Sequence, residues 1–198
     1  MAAGSRAVTA AYVAVAVVAF AVFVAGSVLL ASTLPYHLWD AYSFGDWSRH
    51  VARGEWLDPR SAGIVQASRP LFFFAQGGLW AVTGVSFTSG RLLSLGFAVA
   101  LLVATSAAGR RVGRRVGAPG LCAAIAALAI ISIPNFAAEA VAGDTDVPAA
   151  AIVAVCAWLA LRRGTTIGSA IALSAACTLA LVTKPTTLRR SGGLASGC

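Results

Sequence analysis

The sequence predicts an all-α, polytopic integral membrane protein, and three observations carry that prediction. Of its 198 residues 59% are hydrophobic and 11% are charged, with a mean hydropathy of +0.82. Apolar runs of this density cannot all be hidden in the core of so short a chain, so most of them face lipid or each other within lipid. The runs are also continuous rather than alternating, which argues against a β-barrel. Finally, the charges are sorted: Arg110-Arg111-Val-Gly-Arg114-Arg115 and Arg162-Arg163 each lie directly between two apolar runs, the pattern of short cytoplasmic loops.

The net charge of +8 has the same explanation. No basic face interleaved with aromatics occurs outside the membrane runs, so no nucleic-acid partner is expected. Cys122, Cys156, Cys177 and Cys198 have neither metal-ligand nor redox spacing, and three of them lie within apolar runs, where cysteine behaves as a small hydrophobe.

Taken in order, the first run is Ala7 to Ala31, preceded by Arg6. Its roughly 25 apolar or small residues suffice to span with some tilt. A signal peptide would have a shorter apolar region ending in a small-x-small site, so an uncleaved anchor with a cytoplasmic amino terminus is expected.

The polar stretch Ser32 to Arg69 comes next, with four of the seven acids (Asp40, Asp46, Glu55, Asp58), three of the five tryptophans and both histidines. Asp40 to Arg53 has helical spacing, and Gly54, Pro59 and Gly63 keep the helix from continuing toward Arg69. Trp39, Trp47 and Trp56 suit a juxtamembrane helix in the headgroup layer. His37 and His50 have no matched partner in the sequence.

The segment Pro70 to Gly84 is interrupted by Gln76-Gly77-Gly78. As a helix it covers only about 22 Å of a hydrocarbon core about 30 Å thick. Leu92 to Ala108, Leu121 to Phe136, Val147 to Leu161 and Ile167 to Val182 are the later apolar runs. Parity decides how they thread. If 70–84 crosses, both arginine clusters share a side with the acidic loop. If it dips in and returns, or lies at the interface, all seven acids share one face and both interhelical arginine clusters share the other. The second arrangement is expected: about five spans, with a juxtamembrane or re-entrant segment in the first outer loop.

Several features in order carry a resemblance. They are Asp40 with Gly54 fourteen residues on, the entry Arg69-Pro-Leu-Phe-Phe73, Gly84-Val-Ser followed by Arg91-Leu, and the exit Gly109-Arg-Arg-Val-Gly. Pro134, Gly143-Asp-Thr-Asp146 and Thr183-Lys-Pro185 complete the set. Together they resemble the amino-terminal module of the GT-C glycosyltransferases, in the branch with protein O-mannosyltransferases, lipid A aminoarabinose transferases and their bacterial relatives. The resemblance covers roughly residues 7–188.

It implies an enzyme of the cell membrane that takes a sugar from a polyprenyl-phosphate donor. The sugar passes, on the extracytoplasmic face, to a hydroxyl of a glycan, lipid or protein acceptor. Residues 1–188 would form the transmembrane module, with an outer catalytic loop at 32–90 and a second acidic loop at 137–147. Relatives continue for several more spans, so the chain is expected to be the amino-terminal portion of a longer enzyme, inactive as it stands, with 189–198 a frayed tail.

By resemblance Asp40 is the first candidate for the base that deprotonates the acceptor. Ala41 stands where the pattern usually has a second acid, and Asp46 is the alternative. A helix cap or a solvated loop charge is the competing role for either. Asp144 and Asp146 resemble a second acidic site that in some branches binds a divalent cation, though they equally suit the start of the following helix. Arg69, Arg91 and Lys184 are candidates for the lipid phosphate, against a competing role as interfacial anchors. His50 is a candidate substrate contact.

The alternative from another class is a small membrane transporter or a non-catalytic membrane subunit. A transporter would place polar groups at mid-bilayer on broken helices, whereas here the acids collect in the outer loops.

Overall fold

The computed structural model describes residues 2–33, 39–55, 70–143, 145–161 and scattered positions between 168 and 178, with the backbone alone at 2–5, 39–44 and 70. The elements among these residues are all helical: α1 (Ala2–Thr33), α2 (Trp39–Ala52), α3 (Pro70–Thr83), α4 (Phe87–Arg115), α5 (Pro119–Ile131), α6 (Phe136–Glu139) and α7 (Asp146–Ala160).

Helices α1 and α4 are long and apolar enough to cross a bilayer. At 32 and 29 residues they run about 48 and 43 Å. Their outward surfaces are apolar: Val17, Val18, Val22 and Leu29 on α1 and Val103 on α4 are each at least 60% exposed. Valines and leucines left bare in this way are placed for contact with lipid rather than water.

Of the five spans expected from the sequence, two correspond to helices of spanning length among the described residues. Helices α5 and α7 have 13 and 15 residues and cover about 20 and 22 Å, short of a hydrocarbon core of about 30 Å. The expected run to Phe136 stops at Ile131, because the chain turns through Pro134 and a left-handed Asn135 (φ 63°) before α6. Most of the run at 167–182 lies outside the described residues.

Two glycines set the α4–α5 hairpin. A methyl group on Gly113 would lie 2.7 Å from the Ala118 carbonyl oxygen, and one on Gly109 would lie 2.7 Å from that of Cys122. Only a bare Cα permits this approach, the small-residue packing by which helices associate in lipid. Gly117 turns the chain with φ 75°, the Ala118 amide donates to the Gly113 carbonyl, and Pro119 opens α5 in the first turn, where its missing N–H costs nothing. Helix α7 lies along α4, with the Arg111 guanidinium 5.5 Å from the Trp158 ring.

The other end of α4 is tied to the end of α1. The Arg91 side chain, 8% exposed, donates from Nη1 to the Ala31 carbonyl oxygen at 2.9 Å. Ala31 lies in the last turn of α1, whose carbonyls lack helical partners. Arg91 thus satisfies one of them with a charge suited to the negative end of the helix dipole. Nearby, Phe23 of α1 stacks on Phe136 of α6 at 5.1 Å. Residues 32–90 accordingly leave and re-enter the bundle at the same end.

Within that excursion α2 and α3 form a pair. Gly77 of α3 sits so close to α2 that an added methyl group would fall 2.5 Å from Val51 Cγ1. Trp47 packs on Phe73 at 5.8 Å. Expected as a segment that dips in and returns or lies at the interface, 70–83 is one unbroken helix. Gln76 and Gly77, both buried, form its contact surface, whereas Gly78 is exposed. Helix α3 meets only the start of α4, where Trp80 Nε1 donates to Ser89 Oγ at 3.0 Å. Phe72 and Phe73 pack against Leu93 and Phe97 of α4.

Candidate functional site

The titratable groups that the structure brings together lie at the end of α2. Asp46 and His50 are one helical turn apart, and their side chains approach to 3.8 Å between Oδ2 and Nε2. The helix then ends in a Schellman turn: the Gly54 amide donates to Val51 and the Glu55 amide to His50, with Gly54 at φ 74°. That reversal folds the chain back over the last turn, so the Glu55 carboxylate Oε2 lies 2.7 Å from His50 Nδ1.

The imidazole thus pairs closely with Glu55 through Nδ1 and turns Nε2 toward Asp46 at the longer ion-pair distance. Arg49 adds a cation 3.7 Å from the other Asp46 oxygen. The group is open to solvent, with the Asp46 side chain 55% and the His50 side chain 30% exposed. When Nδ1 carries the proton it donates to Glu55, and Nε2 faces Asp46. The arrangement can accept a proton at the Asp46 carboxylate beside an oriented imidazole.

Behind this exposed group is a buried polar contact. Ser48 Oγ donates to Gln76 Oε1 at 2.8 Å, and Gln76, fully buried, has no hydrogen-bond partner for its Nε2 among the described residues. A methyl group added at Gly90 would fall 2.2 Å from that nitrogen, so the amide is pressed against the α4 backbone. Helix α2 is therefore held to α3, and α3 to α4, at the level of the cluster.

Asp46 and His50, singled out in the sequence, come together. His50, unmatched in the sequence, has two acidic partners. Glu55 is not among the candidates the sequence supplies; the i, i+4 spacing of Asp46 and His50 signals their own pairing, but only the turn at Gly54 recruits Glu55. Asp40 lies in the first turn of α2, and its side chain lies outside the described residues. Arg69, Lys184, His37 and Asp144 also lie outside them. Arg91 is engaged at the α1–α4 joint. Asp146 is exposed in the first turn of α7, where the helix dipole favours its charge. Among the described residues no group of three His, Cys, Asp or Glu side chains could hold a metal ion; Asp144, which the resemblance pairs with Asp146 for a cation, lies outside them.

The chain matches no protein-family model, no curated protein and no solved structure.

Proposed function

We propose that the protein is the membrane module of a GT-C-type glycosyltransferase, moving a sugar from a polyprenyl-phosphate donor to a hydroxyl acceptor at the extracytoplasmic surface. The observation that carries this reading is the Asp46–His50–Glu55 cluster, at the end of the bundle where 32–90 leaves and returns. Supporting it are the ordered sequence features that resemble that family and the sorting of acids from arginine clusters.

In the proposed step the Asp46 carboxylate takes the proton of the acceptor hydroxyl as its oxygen attacks the anomeric carbon. The bond from that carbon to the phosphate oxygen breaks, and the polyprenyl phosphate leaves with the electron pair. Glu55 fixes the imidazole ring, and His50 positions the base. Asp40, the first candidate by resemblance, shares the helix and is the second base to test. Arg69, Arg91 and Lys184 stay proposed as partners of the departing phosphate, and Asp144 with Asp146 as the proposed cation site. The buried polar side chains Ser27, Gln76 and Ser94 all lie toward the end of the bundle where Arg91 meets Ala31. A transporter would instead need such groups at mid-bilayer.

The test is transfer from polyprenyl-phosphate sugar in reconstituted vesicles. Asp46→Asn is expected to lower kcat by about 10²- to 10⁴-fold. Full activity in both Asp40→Asn and Asp46→Asn contradicts the reading.

A further inference from the structure

A groove of about 490 Å³ runs between α1, α4 and α5, at the end of the bundle opposite the Asp46 cluster. Its walls are apolar, among them Val17, Phe20, Leu102 and Val103, and its polar groups are Ser106 and Arg110. A second hollow of about 410 Å³ shares Val13, Pro119 and Gly120 with it and adds Arg6. Val17 and Val103 are 61% and 60% exposed, so the groove opens sideways, toward lipid. No acidic side chain lines either hollow. Among the described residues neither Arg6 nor Arg110 has an ionic or hydrogen-bonded partner.

We infer that this groove binds one anionic glycerophospholipid, with an acyl chain against Val17, Phe20 and Val103 and the phosphate between Arg110 and Arg6. The charge argument is direct: Arg110 lines the apolar channel and Arg6 lines the hollow that adjoins it, with no acidic side chain in either. Basic pockets between helices at a membrane face take up acidic headgroups for this reason. Depth agrees as well. From Arg110 to Leu102 the channel descends about 12 Å along α4, close to the roughly 15 Å of hydrocarbon in one leaflet. The inference requires membrane insertion of α1 and α4 but not sugar transfer.

The test is native mass spectrometry of the full chain from mixed micelles holding equal phosphatidylglycerol, phosphatidylcholine and undecaprenyl phosphate. One phosphatidylglycerol per chain is expected to be retained preferentially. Arg110→Gln and Arg6→Gln should each reduce the preference over phosphatidylcholine about fivefold, while Arg110→Lys and Arg114→Gln keep it. Val103→Trp, which fills the channel and leaves every charge in place, should abolish retention. Equal retention of the two phospholipids, preference for undecaprenyl phosphate, or an unchanged preference in the glutamine variants overturns the inference. So does a photo-crosslinker at position 103 that captures residues 167–182 or a second copy instead of lipid.

Discussion

The Arg91 guanidinium and the Ala31 carbonyl oxygen are 2.9 Å apart although 60 residues separate them in sequence. This contact closes the excursion 32–90 at one end of the bundle. The chain leaves α1 there, forms α2 and α3, and begins α4 at the same level. A charged donor so nearly buried has little water to fall back on, so the bond is both a topological marker and a source of stability.

Arg91→Ala is therefore expected to destabilise the chain by about 1.5–3 kcal/mol, the range for a hydrogen bond to a charged group. Arg91→Lys should recover part of this loss. Thermal midpoints in one detergent check it. A midpoint for Arg91→Ala equal to that of the parent would mean that the α1–α4 joint does not depend on this bond.

The α2–α3 contact depends on a bare Cα at Gly77. Gly77→Val is expected to cost about 1–3 kcal/mol as the added carbons meet Val51 and the Ser48 carbonyl. Gly78→Ala, on an open face, should be tolerated. The thermal midpoint should fall in the first variant and not in the second.

Ser48 and Gln76 form a buried pair whose members are costly to remove singly. Gln76→Leu removes the buried Ser48–Gln76 hydrogen bond and is expected to cost about 1–3 kcal/mol, whereas Gln76→Leu with Ser48→Ala should cost less. A double-mutant cycle on the denaturation midpoint reads the coupling directly.

Glu55 acts through His50 rather than on substrate. If Asp46 is the base, Glu55→Gln should reduce transfer less than Asp46→Asn does and should change its pH profile, because the neutral amide no longer enforces one ring tautomer. A Glu55→Gln profile that superimposes on the parent's would leave the residue only its structural part in the turn.

Much of this architecture is legible in the residues. The α2 helix follows from the spacing of Asp40 to Arg53, and its end follows from Gly54. The confinement of 32–90 to one end follows from charge parity. Other features depend on distant contacts that no local pattern encodes. Gln76-Gly77-Gly78 reads as a break, yet its first two residues form the helix surface on which α2 packs. Arg91 reads as a phosphate-binding cation or an interfacial anchor, yet it donates to a carbonyl at the end of α1. Glu55 becomes a partner of His50 only because the chain doubles back through a left-handed glycine. Pro134 is visible in the sequence, but hydrophobicity alone carries the apolar run past the point where α5 stops.

The most direct measurement is the sidedness of positions 46 and 112. Single-cysteine variants Asp46→Cys and Val112→Cys, with the native cysteines replaced by serine, are exposed to a membrane-impermeant maleimide in intact cells. Position 46 should be labelled at once and position 112 only after permeabilisation. Equal labelling of both in intact cells would place the acidic cluster and the arginine cluster in one compartment, and surface sugar transfer at Asp46 could not stand.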